Sequence, residues 1–469
     1  MADRTDGFIE NRIFGEIALG DTAALTRTLS KADIELFAIV SGDVNPAHLD
    51  DSFAASDLFH HVVAHGMWGG ALISAVLGTE LPGPGTIYLA QNLRFHRPVG
   101  IGDRLTVTVT ATGKRPERVI VFDCRCVNQD GTEVISGTAE VIAPAERVRL
   151  HRSELPEIQL RRHDSYQHLM AACANHRAML TAVVHPCDAP SLTAAIDAAK
   201  AGLIVPVLVG PEARIRAAAL AAGIDIAPFR IVAAPHSHAA AETAVALARP
   251  GEVAALMKGS LHTDELMHEV ASDTLGLRTG RRISHVYVMD VPTYPKPLMI
   301  TDAAINIAPS LEDKRDICQN AIDLARVLGV SLPKVAILAA VETVSARMPS
   351  TLDAAALCKM ADRGQITGGL LDGPLAFDNA IDPAAAATKR IISAVAGRAD
   401  ILLVPDLEAG NMLAKQLSFL ASADAAGIVL GARVPIILTS RADSLRTRMA
   451  SCAVAVSLAN ARSAESPLA

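Results

Sequence analysis

Residues 41–50 read S-G-D-V-N-P-A-H-L-D, and this loop decides how the first third of the chain is built. An acid, Asp43, stands five residues before an imidazole, His48. Between them, Asn45 and Pro46 bend a chain and hold it bent. A carboxylate and an imidazole on one tight loop can share a water molecule, the minimum equipment for adding water to a double bond or removing it. Residues 64–67 then read A-H-G-M and open an apolar run, 66–77, which predicts a helix buried against a sheet. A backbone N–H at the start of that helix, on Gly66, can stabilise a developing oxyanion. Asp43 beside Asn and Pro also suits a second, ordinary role, capping a helix or closing an Asx turn.

The surrounding rhythm is that of one helix wrapped by a sheet. Residues 30–39 predict a helix with Ser30 as N-cap and Asp33 three positions on. Residues 105–109 alternate apolar side chains with Thr106 and Thr108. The stretches 118–128 and 133–142 flank Gln129-Asp130-Gly131, a hairpin signal. Cys124 and Cys126 share one face of the first of these strands and have no metal-ligand spacing.

These segments, together with L-P-G-P-G-T-I-Y-L-A-Q-N-L-R-F-H-R-P-V at 81–99 and G-D-R-L at 102–105, resemble the MaoC-like (R)-specific enoyl-CoA hydratases over residues 13–142. The resemblance implies a hot-dog fold within a domain spanning 1–145. It further implies that Asp43 and His48 activate the catalytic water, that Asn45 lies on the substrate side, and that Gly66 offers its N–H to the thioester oxygen. His60, His61, His65 and His96 are read as structural.

The chain has 469 residues and predicts two to four domains. Half of it is hydrophobic with only 3% aromatics, so Ala and Val fill the interior. A net charge of −7 gives no reason to expect nucleic acid or an anionic membrane as partner. No apolar stretch approaches a membrane span, and the polar start M-A-D-R-T-D-G lacks the core of a signal peptide. The seven cysteines are scattered without a C-x-x-C pair, as in a reduced, cytoplasmic protein.

After Pro144 the composition shifts. Residues 146–164 are charged and weakly periodic and read as a linker or a solvated helix. From Tyr166 onward short apolar strands alternate with Ala-rich helices, as in 191–201 and 211–222. Strands are expected at 181–185, 204–209, 253–257, 283–289, 335–338, 401–404 and 435–439, giving a doubly wound α/β sheet with ligands at strand C-terminal ends. The turn V-P-I-I-L-T-S-R-A-D-S at 434–444 suits an anion, because a Ser hydroxyl, an Arg fork and helix N–H groups can meet at one phosphate oxygen. Gly410 and Asn411 are expected to form a tight turn near a ligand.

M-K-G-S-L-H-T-D-E-L from Met257, I-T-D-A-A-I-N-I-A-P from Ile300, L-D-G-P-L-A-F-D-N-A from Leu371 and P-D-L-E-A-G-N from Pro405 resemble the phosphate acetyl/butyryl transferases. The likeness implies a transferase domain at 165–469 whose fold is isocitrate/isopropylmalate dehydrogenase-like. Its two subdomains would cover 165–299 plus 440–469, and 300–439. It implies acyl-CoA and phosphate as substrates, Ser440 and Arg441 at the reacting centre, Lys258 and Arg278 as added positive charge, and Asp302, Asn306 and Asn411 as ligand-orienting groups. Acetyl-specific members carry an acid beyond the Ser-Arg pair; Thr447 stands there in this chain, with Asp443 nearer. Read together, the halves imply a bifunctional homo-oligomer that hydrates 2-enoyl-CoA and exchanges CoA for phosphate, with no cofactor or metal. The alternatives are an acyl-CoA-binding or oligomerisation module in place of the transferase, or an NAD-dependent dehydrogenase.

Overall fold

The computed structural model describes residues 7–151, 153–156, 158, 164–438 and 443–465. It divides into two compact units, 1–160 and 161–469.

In the first unit Ser30 caps the helix Lys31–Ser41. Its side chain accepts from Asp33 N while Asp33 reaches back to Ser30 N, and the helix ends at Gly42 with φ +75°. The apolar run forms the helix Gly66–Thr79. Against it lies a five-stranded antiparallel sheet in the order Thr22–Thr28, Arg104–Arg115, Val119–Val127, Glu133–Ile142, Ile87–Phe95. Trp68, Leu72, Ile73, Val76 and Leu77 meet Leu105, Val107, Phe122, Ile135 and Ala139 in one core. The strand alternation put Cys124 and Cys126 on one face, and both are buried there, with burial raising each thiol to about 12.

Part of the stretch read as a linker is instead structured. Arg149–His151 pairs antiparallel with Phe8–Glu10. Asn11 ties this ribbon to the unit, donating to Pro84 O at 3.0 Å and Glu146 O at 2.9 Å and accepting from Val148 N at 2.9 Å. The charged residues face water on a two-stranded ribbon, which is why they show no core periodicity.

The second unit holds one mixed sheet of eleven strands. Its order is Arg230–Ala233, Ile204–Gly210, Met179–Val184, Ala255–Lys258, Ile436–Ile437, Asp424–Leu430, Ser284–Asp290, Leu298–Thr301, Ile401–Leu403, Lys334–Leu338, Leu370–Leu375. Pairings are parallel at both ends and antiparallel through the middle, where Asp424–Leu430 meets Ile436–Ile437 and Ser284–Asp290, and Ser284–Asp290 meets Leu298–Thr301. The expected α/β sheet is thus present, with an antiparallel centre. The division at 300 and 440 follows the chain and not the hydrogen bonds, because strands from 424–437 sit between 255–258 and 284–290. The C-terminal helix Leu445–Glu465 buries Cys452, Ala453, Val454 and Ala455 against this sheet.

Trp68 is the one tryptophan and is buried beside Ile73, so its fluorescence reports on the first unit. Ile73→Ala should destabilise that unit by about 2–5 kcal/mol. Guanidinium denaturation followed by Trp68 emission should show an earlier midpoint. An unchanged midpoint would mean that this helix is not the unit's core.

Candidate active sites

The first site is built from 24 consecutive residues. Pro46–Leu49 is one turn of helix whose N-cap is Asn45, the side-chain oxygen accepting from Ala47 N at 3.1 Å. Asn45 N donates to Asp43 Oδ1 at 3.2 Å, so Asp43 closes a local turn, and the residue is exposed. Asn45, expected on the substrate side, spends its oxygen as a cap. His48 is half-buried, with Nδ1 2.8 Å from Val63 O.

His65, read from the sequence as structural, packs against this pair. It is 3% exposed, its ring lies 3.9 Å from that of His48, and its Nε2 is 3.1 Å from the backbone oxygen of Asp43. Phe37 packs on its other side at 5.1 Å. Asp43, His48 and His65 thus each offer an atom within 4.8 Å of the other two, a group that chain spacing did not reveal. The only signal was the position of His65 directly before an apolar helix.

Gly66 is exposed at the start of that helix, and its N-cap His65 makes no side-chain capping bond. The first-turn N–H groups therefore have no side-chain cap from His65, and Trp68 N donates back to His65 O at 2.9 Å. A Cβ on Gly66 would stand 3.3 Å from the Phe95 ring. Gly70, Ala71, Ser74 and Met67 of the same helix line a cavity of about 350 Å³ with Phe37, Tyr88 and Gln91.

The second group of candidates is divided by strand direction. Ala255–Lys258 runs parallel to Ile436–Ile437, and three antiparallel steps then lead to Leu298–Thr301. The ends that carry Lys258 and Asp302 therefore leave the sheet at opposite edges. Lys258 is buried, and the backbone beyond it crosses the end of Met179–Val184. There Gly259 N donates to Val184 O at 2.9 Å, and Ser260 Oγ donates to His185 O at 2.9 Å. His185, held at φ +55°, has its imidazole pKa lowered by burial.

At the other edge, the Asp302 carboxylate accepts from Ala304 N, Ile305 N and Asn306 N at 2.9–3.1 Å and from Asn306 Nδ2 at 2.5 Å. Burial still pushes its carboxyl above the usual carboxylate range. Asn306 donates to Ile283 O and accepts from Arg282 Nε at 2.7 Å. Arg282 is drawn into this network and lies 3.4 Å from Asp313. Arg278 is exposed and paired with Asp273. Gly410 and Asn411 are not a turn. They belong to the first turn of the helix Leu407–Leu420, and Asn411 donates to Ala303 O at 3.1 Å. Ser440 and Arg441 lie outside the described residues. On the side chain next to them in sequence, Asp443, charge adds to burial in raising Tyr287 to about 12.

A phosphate acetyltransferase of Rhizobium meliloti is 66% identical over 299 residues, 64% of this chain and 95% of that protein. The chain belongs to the phosphate acetyl/butyryl transferase family. The family model described as phosphate acetyl/butaryl transferase matches residues 238–456. A branched-chain phosphotransacylase from Enterococcus faecalis V583 is a similar solved structure, at 28% identity, TM-score 0.54, 60% of this chain and 99% of that one. The N-terminal part is a MaoC-like domain, matched over residues 19–125. The solved R-hydratase PhaJ1 from Pseudomonas aeruginosa is 45% identical over 33% of this chain and 99% of its own, with a TM-score of 0.32.

One buried group in the family domain has a measurable consequence. His285 is fully buried, stacks edge-on against Tyr287 at 4.4 Å, and among the described residues neither ring nitrogen has a hydrogen-bond partner. Burial lowers its pKa to about 3. The unfolded chain thus binds the proton first as pH falls, so the contribution of neutral His285 is complete above about pH 6.5 and is lost toward the folded pKa. The slope is at most about 1.4 kcal/mol per pH unit. Denaturation followed by circular dichroism at pH 7 and pH 5 should show a smaller acid-induced loss for His285→Leu than for the parent. Equal losses would show that His285 does not carry this acid sensitivity.

Proposed function

We propose that the chain works on acyl-CoA thioesters at two separate sites. The MaoC-like domain adds water to 2-enoyl-CoA to give (3R)-hydroxyacyl-CoA, reversibly. The transferase domain exchanges CoA for inorganic phosphate. The observation that carries the first reading is the Asp43–His48 pair beside an uncapped helix start at Gly66. The observation that carries the second is the 66% identity to a phosphate acetyltransferase over nearly its whole length.

In hydration, Asp43 and His48 hold one water between them. One of the two takes its proton as the oxygen bonds to C3, and the other delivers a proton to C2. Negative charge passes to the thioester oxygen in between, and the Gly66 N–H is the donor at the positive end of the helix. In transfer, a phosphate oxygen attacks the thioester carbonyl and the CoA thiolate leaves, giving acyl phosphate. By family likeness Arg441 neutralises the phosphate and Ser440 hydrogen-bonds at the carbonyl. Neither reaction draws on a redox cofactor. The finer fold reading is an isocitrate dehydrogenase-like pair of subdomains joined through the central antiparallel strands. The first unit is read as pairing with a second copy through the edge strand Ile87–Phe95, which exposes Ile87, Leu89 and Phe95.

Asp43→Asn should lower the hydration rate by about 10²–10⁴-fold and leave CoA exchange intact. Loss of both activities in a folded variant would argue against two sites. Saturated acyl-CoA cannot be hydrated, so thiol release from it tests only the second site. Release that requires phosphate or arsenate and disappears in Arg441→Ala is expected. No release from any chain length would sink the transferase reading.

A further inference from the structure

The hydrogen bonds around the first site fix where its lone pairs lie. A backbone carbonyl only accepts, so His48 Nδ1, 2.8 Å from Val63 O, carries the proton of the neutral ring and leaves the lone pair on Nε2. His65 Nε2, 3.1 Å from Asp43 O, carries its proton for the same reason. Its lone pair is on Nδ1, which is buried and meets no hydrogen-bond partner. Asp43 adds a carboxylate from the exposed side.

An imidazole whose second nitrogen donates to a carbonyl is the form in which histidine holds a transition metal. Two such rings and one carboxylate, open on one side to solvent, suit a borderline cation such as Zn²⁺. They do not suit Mg²⁺ or Ca²⁺, which prefer all-oxygen shells. Donors around a tetrahedral zinc stand about 3.3 Å apart, and one possible ligand atom from each of the three residues lies within 4.8 Å of the others, so closing on a cation needs movement on the order of 1 Å or more. The exposed Asp43 side chain has room for its share of that movement.

We propose that Asp43, His48 and His65 form a reversible site for a borderline divalent cation. The cation displaces the water that Asp43 and His48 would otherwise activate, and hydration stops while it is bound. The binding stands on these three residues alone; the inhibition rests on the hydratase reading above.

Zn²⁺ is titrated into the full chain against a chromophoric chelator, and both activities are followed in parallel. One tight equivalent per chain is expected, with hydration suppressed and then restored by EDTA, and with phosphate-dependent CoA release unchanged. His65→Gln and His48→Asn should each lose at least about tenfold in Zn²⁺ affinity, since loss of even an outer-shell group costs that much. Unchanged CoA release and circular dichroism establish that each variant is folded. Zn²⁺ affinity unchanged in both folded variants, or no tight equivalent in a chain that hydrates enoyl-CoA, overturns the proposal. Tight binding that both variants lose, in a chain without hydratase activity, upholds the cation site and overturns the hydratase reading instead.

Discussion

Close approach of one helix to one sheet is the constraint on which the N-terminal unit depends. Gly66–Thr79 has almost no polar surface and contains four glycines, each costing up to about 1 kcal/mol relative to Ala in an exposed helix interior. Such a helix persists only because packing repays that cost. A Cβ on Gly69 would come within 2.3 Å of Ile135 Cδ1, so a side chain there would displace the end of Ile135 within the core. Seating the helix there also fixes its first turn. His65 is then buried against Phe37 and His48, and Gly66 is turned outward. The chemistry at the helix start is thus a consequence of the packing along its length.

The same kind of contact governs the family domain at Gly410. A side chain there would meet Asp302 O at 2.6 Å and Val404 Cγ2 at 2.8 Å. Without it, the helix Leu407–Leu420 closes on the 302–306 turn, and Asn411 bonds Ala303 O. Asp302 is buried by this contact and answers with four accepted hydrogen bonds, three of them from backbone. A carboxylate so occupied orders its own loop first. Asn306 in turn accepts from the Arg282 guanidinium, which extends the ordered network.

The two halves differ in how much of this was legible. Asp43, His48 and Gly66 lie within one short stretch, and the capping box at Ser30 and Asp33 announces the preceding helix in four letters. Local chemistry of that kind can be read residue by residue. His65 could not be read so, because its meaning lies in a ring contact across a loop. In the second unit, Asp424–Leu430 carries Ala-Ala-Gly at its centre, weak strand formers that tertiary pairing overrides. Leu370–Leu375 contains Gly and Pro and survives as a strand because it lies at the sheet edge, where a missing N–H costs little. The reversal of direction between Ala255–Lys258 and Leu298–Thr301 has no local signature at all.

Locality also bears on why the halves can share a chain. A site confined to residues 43–66 is fully specified by its own unit, whatever is attached after residue 160. The eleven-stranded sheet, in contrast, needs strands from 179 to 437 to close its central antiparallel region, so no part of it can be divided off without exposing backbone. The first unit ends, within the described residues, on a small ribbon of Phe8–Glu10 with Arg149–His151. The ribbon presents charged Arg149 paired with Glu10 and keeps its pairing within the first unit.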